Sequence, residues 1–235
     1  MTDLSKPLMT EAYGAKAQGA KLELMAIELP PLTSSQGVGK VVACGANVRG
    51  LEVGDTVGVG WIRDSCGLCE PCGCGRENMC DNGYKGTYFA FLLPANLPPH
   101  VAAPLMCAGG TVFEPIVDLV RPGVVVGVGA LGGLGTLALK LSKLYGGKGI
   151  PPASSQGLEA DWIPIIFTGK KIGGSIVTGS QRMKLMLKLA SEHLDFITDI
   201  SESTQAVVRP FSEVNEAMES LMSQSSSAYR TVLQW

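Results

Sequence analysis

Apolar and polar residues follow one another with two different periods along this chain, and the change of period divides it. Residues 12–29, with the mixed apolar and charged run "AKLELMAIEL", predict a first pair of strands. The segment "PPLTSSQG" then reads as a loop. Two β-runs follow, near Val38–Ala43 and Asp55–Val59, with a turn at Gly54 and Asp55. Residues 81–104 read as loop, rich in proline and glycine. Ala102–Val120 has helical patterning, with Pro104 and Pro115 required at its ends or at a kink. Val124–Val128 is a short β-branched strand, and Leu137, Leu141 and Leu144 recur at helical spacing between Leu134 and Tyr145. Residues 146–163 hold no strand-like run, whereas "KKIGGSIV" (170–177) has the character of a strand. The runs "QRMKLMLKLASEHL" and "EVNEAMESLMSQ" predict helices, and "AYRTVLQW" a closing strand. These elements define a mixed α/β protein with a β-rich front and an α/β back.

Composition narrows the partners. Of 235 residues, 46% are hydrophobic, enough for a packed core. With 19 basic and 21 acidic residues, the chain has no field that would draw nucleic acid or an anionic membrane. The run Val124–Leu139 is too short to span a bilayer and is broken by glycines, and the N-terminus lacks the apolar core of a secretory signal. A cytoplasmic location follows as the expectation.

Chemistry concentrates in two places. Five of the seven cysteines lie in "CGLCEPCGCGRENMC". Cys66, Cys69, Cys72 and Cys80 stand as C-x2-C-x2-C-x7-C, the spacing of a tetrahedral thiolate site, while Cys74 is spare. Four sulfurs close a zinc ion's coordination sphere, so about one structural zinc per chain is expected, holding the loop and doing no reaction. An iron–sulfur cluster is the competing metal, but the x7 spacing suits zinc better. The second place is "GVGALGGLGTLALK", which follows a strand and opens a helix. There Gly129, Gly132 and Gly135 mark a dinucleotide turn, and Gly129, Gly132, Gly133 and Leu134 are the candidate cofactor contacts. The acidic residue expected at a second strand end, about 20 residues on, has no counterpart. Glu159 and Asp161 fall in a loop-like run.

These blocks together resemble the zinc-containing medium-chain alcohol dehydrogenases, most closely their NADP-dependent, cinnamyl-alcohol-dehydrogenase-like branch. "GVGKVVACGANVRGLEVGDTVGVGWIRDSCGLCEPCGCGRENMC", "AAPLMCAGGTVFEPI", "GVVVGVGALGGLGTLALKLSK" and "EVNEAMESLMSQSSSAYRTVLQW" carry the likeness in the family's order. The resemblance implies a GroES-like domain over 1–104 with the zinc lobe at 66–80. It also implies an abbreviated Rossmann-type domain over 105–205, and a helix and strand over 206–235 returning to the first domain. It implies zinc and NADP(H) or NAD(H) as cofactors and a small alcohol or aldehyde as substrate. It also implies a catalytic zinc, for which Cys107 matches one ligand position. The other ligand motifs are missing: where glycine, histidine and glutamate are expected, the chain reads Ser34, Ser35 and Gln36. His100 and His193, the only histidines, match no ligand position. Family segments are also missing between Cys80 and Pro94 and between Tyr145 and Phe167, which leaves sheet edges open to self-association as a homo-oligomer. Three readings follow, in order: an oxidoreductase by descent with a defective catalytic centre, a non-enzymatic zinc-stabilised binding or regulatory module, and a zinc-independent NADPH reductase.

Overall fold

The computed structural model describes residues 8–14, 23–29, 37–42, 44, 48–83, 85–86, 89–129, 132–150, 173–195, 206–223 and 230–234. The Ser34–Gln36 triplet, residues 170–172, Glu159 and Asp161 lie outside them.

The front is antiparallel. Strands β1 (Leu8–Gly14) and β2 (Glu23–Leu29) pair from Leu8 opposite Leu29 to Gly14 opposite Glu23. A second sheet has the order β3 (Gly37–Lys40), β4 (Thr56–Val59), β7 (Ala90–Leu92). Strand β5 (Ile62–Asp64) leads into the cysteine lobe and β6 (Lys85–Gly86), its partner, leads out of it. The lobe itself holds one helical turn, α1 (Glu70–Gly73), and a 3-10 turn at Glu77–Met79. The stretch expected as loop over 81–104 thus contains two short strands. They are only two and three residues long, too short for a period to show.

The spine is a continuous helix, α2, over Pro99–Leu119. It begins three residues earlier than its apolar pattern suggests, because Pro99 occupies the first helical position, where a missing N–H costs nothing. Pro104 lies inside the helix, and Leu105–Gly109 after it widens into a π turn. By length and composition α2 is apolar enough to cross a membrane, yet 56% of its most apolar window is buried by the fold. Leu105, Met106, Phe113 and Ile116 are at most 3% exposed. They share one core with Phe91 and Leu93 before α2 and with Leu137, Leu141, Met183 and Met186 after it. The boundary expected at 104/105 therefore falls within a continuous helix and a continuous core.

Behind the spine, β8 (Val125–Gly127), α3 (Gly133–Leu144) and β9 (Lys148–Ile150) form a βαβ unit, with Val125 opposite Lys148 and Gly127 opposite Ile150 in parallel register. Strand β9 corrects the sequence reading of 146–163, which found no strand there. Its middle residue has no side chain to give a signal, and one would be crowded: a Cβ on Gly149 would lie 3.1 Å from the Leu139 carbonyl oxygen. The strand expected in "GGSIV" is absent. Gly173–Val177 has no regular structure, and Val177, at φ 47°, turns into the core. Helix α4 (Ser180–Glu192) follows. After it come β10 (Ala206–Pro210), α5 (Val214–Met222) and β11 (Arg230–Gln234), with β11 parallel to β10. The sequence pattern left β10 unrecognised: Val207 and Val208 are both exposed, so the strand lacks an alternating face.

Candidate metal centre and nucleotide turn

The lobe is a chain reversal built around sulfur. Pro71 opens α1, and its turn brings Cys72 back toward Cys66 and Cys69. The 3-10 turn then delivers Cys80. All four Sγ atoms lie within 4.8 Å of one another, with Cys66 to Cys72 at 3.9 Å and Cys69 to Cys80 at 4.0 Å. A zinc tetrahedron with bonds of about 2.3 Å has edges of about 3.8 Å, so the group fits the ion. None of the four is in a disulfide. Backbone N–H groups of Leu68 and Cys69 point at the Cys66 sulfur, at 3.5 and 3.4 Å. The Asn82 side chain and those two N–H groups lower the Cys66 thiol to about 6, favouring the thiolate that a metal needs. For Cys69 the N–H groups of Cys72 and Asp81 pull the same way, but burial and the neighbouring Cys72 and Cys66 thiols prevail and raise it. Four sulfurs this close do not all ionise unless a cation joins them.

The lobe docks through residues that the cysteine spacing treats as spacer. Arg76 Nε lies 3.3 Å from Glu114 Oε1 and its Nη2 3.2 Å from Asp118 Oδ2, both on α2. Arg182 of α4 binds the same pair, Nη1 to Glu114 Oε1 at 2.8 Å and Nη2 to Asp118 Oδ1 at 2.5 Å. Thr178 Oγ1 donates to Glu114 Oε2. Hydrogen bonding from Arg182 holds the Asp118 carboxyl below the usual range, aided by the charges of Arg182, Arg76 and Arg121. Nothing in the sequence marks Arg76, Glu77 or Asn78 as docking residues, because their partners lie 38 to 103 residues away.

Among the described residues, the four cysteines are the only group of three or more metal-ligating side chains. Cys107 sits half-buried in the π turn of α2, outside that group. His100 and His193 are both exposed.

The glycine turn joins β8 to α3. Gly132 is the N-cap residue of α3, with Gly133 and Leu134 opening its first turn. A Cβ on Gly127, Gly129 or Gly132 would meet no atom within 4 Å, so the space over the turn is open to an incoming group. No side chain caps this end of α3, and the first N–H groups of a helix lack intrahelical partners, which suits an anionic pyrophosphate.

A zinc-type oxidoreductase scaffold, with a GroES-like front and a βαβ back, is the class these features define. The family model of the alcohol dehydrogenase GroES-like domain matches residues 11–102. A probable cinnamyl alcohol dehydrogenase of Oryza sativa is 41% identical over 143 residues, covering 51% of this chain and 40% of the relative. A probable mannitol dehydrogenase of Stylosanthes humilis is 33% identical over 202 residues, covering 76% of this chain and 55% of the relative. A solved cinnamyl alcohol dehydrogenase from Helicobacter pylori, complexed with NADP(H), superposes with a TM-score of 0.71 at 14% identity, over 97% of this chain and 98% of that one. The chain belongs to the zinc-type medium-chain alcohol dehydrogenase family and is cinnamyl-alcohol-dehydrogenase-like. It spans about half the length of the curated relatives it matches.

Proposed function

We propose that this chain carries the framework of an NAD(P)-dependent alcohol or aldehyde oxidoreductase and leaves its catalytic zinc site incomplete. The observation that carries this reading is that the single metal-ligating group among the described residues is closed by four sulfurs. A closed site offers no position to a substrate oxygen. Cys66, Cys69, Cys72 and Cys80 would hold one structural zinc. Cys107 is one thiol where a catalytic zinc needs three protein ligands, so the residues present do not fit that second ion. The turn at Gly129, Gly132, Gly133 and Leu134 suits the pyrophosphate of NADP(H) or NAD(H). When bound, the nicotinamide would supply or accept a hydride. This chain's part is to seat the pyrophosphate on the N-terminus of α3 and to support that helix through Leu137 and Leu141.

The open turn also favours a second reading, a nucleotide-binding module without turnover. One set of measurements separates the two from an active enzyme. Metal analysis is expected to give about one zinc per chain. Cinnamyl and benzyl alcohols with either nicotinamide are expected to give no turnover. Turnover abolished by a zinc chelator, with a second zinc equivalent, would overturn the proposal. Micromolar NADPH affinity by calorimetry without turnover would favour the binding module.

A further inference from the structure

Between the third and fourth cysteines the chain makes a seven-residue excursion, and this excursion is tied at both ends. Gly75 N–H donates to the Cys72 carbonyl at 3.0 Å, and Cys80 N–H to that of Glu77 at 3.2 Å. Its tip reaches a segment one hundred residues away. Arg76 engages Glu114 and Asp118. The Glu77 carboxylate accepts from the Ser180 backbone N–H at 2.8 Å and from the Ser180 hydroxyl at 2.6 Å. Asn78 Nδ2 donates to the Ile176 carbonyl at 3.4 Å. Ser180 is the first residue of α4, and the N-cap position before it is Gly179, which has no side chain to satisfy the orphan N–H groups there. No side chain could replace the glycine: a Cβ on Gly179 would collide with the Gly75 carbonyl and lie 2.7 Å from Glu77 Oε2. The cap of α4 is therefore supplied by the metal lobe.

We propose that residues 73–79 are a docking finger, shaped by metal at Cys72 and Cys80, and that zinc occupancy of the lobe and order in the first turn of α4 are thermodynamically linked. The inference rests on the four cysteines holding zinc. Arg76 and Asn78 place the finger, and Glu77 delivers the cap. If metal favours the docked finger, docking must favour metal by the same factor. An anionic side chain at a helix N-terminus also meets the positive end of the helix dipole, which adds to the coupling.

The linkage is read by hydrogen exchange over residues 180–186, with residues 133–144 of α3 as the internal reference, together with zinc affinity from competition against a chromophoric chelator. Removing zinc from the full chain is expected to speed exchange over 180–186 by about tenfold while α3 keeps its protection. Zinc-loaded Glu77→Ala is expected to speed exchange over 180–186 about fivefold and to weaken zinc binding by a similar factor. If removing zinc unfolds the whole chain, the loaded variant decides. Loss confined to 180–186 supports the linkage, and no loss, or parallel loss in α3, overturns it. The proposal also fails if 180–186 exchanges at the same rate with and without zinc, or if Glu77→Ala leaves zinc affinity unchanged. A parent chain that takes up no zinc at all overturns the metal reading first, and metal analysis tells that case apart.

Discussion

Glu114 is 2% exposed in a mostly apolar helix, paired with two arginines that come from different parts of the chain. A buried carboxylate is costly unless it is paired and fully hydrogen-bonded, and here Arg76, Arg182 and Thr178 share that task. Arg182→Ala removes the closest cation from Glu114 and the main hydrogen-bond donor from Asp118. Its expected cost is about 2 kcal/mol at pH 7, measured by urea denaturation. The pH dependence has a definite sign. Asp118 titrates lower in the folded chain than in the unfolded one, so its contribution is present above about pH 4, the unfolded value, and fades as pH falls through the folded value. The gap between parent and variant should therefore narrow below pH 4. A gap that stays constant to pH 3 would assign the loss to packing of the Arg182 stem instead. The same residues mark the limit of sequence reading at this scale. The cysteine ligands were legible because a metal site leaves a local spacing. Arg76 and Glu114 were not, because a pair 38 residues apart leaves no periodic trace.

At the scale of elements, α3 shows what hydrophobic period can and cannot tell. Leu137 and Leu141 were legible as a buried stripe, and both are at most 2% exposed, against a core shared with Phe113 and Ile116. Leu141→Ala is expected to cost about 3 kcal/mol in chemical denaturation, since it opens a cavity where α3 meets α2. A cost below about 0.5 kcal/mol would mean that α3 lies on the surface in solution and the βαβ unit is not part of the core. Strand β9 was illegible because its three residues include a glycine fixed by contact with α3, so tertiary packing selected the residue. The reverse error, a strand expected in "GGSIV", came from β-branched residues that serve another end: Val177 plugs the core and Ile176 offers its carbonyl to Asn78.

At the scale of the molecule, one spine helix gathers a core from segments before and after it, while each small sheet remains narrow. Among the described residues β8 and β9 pair only with each other, as do β10 and β11. Strand β8 carries Val125 at 58% exposure, with Val124 beside it at 39%. An apolar strand with an unpaired edge is a template for another strand. The purified chain is therefore expected to self-associate with rising concentration in sedimentation velocity. Val125→Lys should move the association midpoint at least about tenfold higher. A parent that stays monomeric at high concentration, with the variant unchanged, would mean that the edge is already covered.

The tie between Glu77 and Ser180 brings together residues 103 positions apart. That bond closes a large ring of chain, and ring closure depends only weakly on contour length: doubling the enclosed chain adds about 0.6 kcal/mol of entropic cost. Flexible chain could be added between the lobe and α4 at little entropic cost to this contact, provided that α2 keeps Glu114 and Asp118 in place for Arg76 and Arg182. The clasp sets which ends are joined and leaves the loop length between them almost free, so a change of loop size inside the ring is tolerated as long as α2, its core and the two anchor points survive.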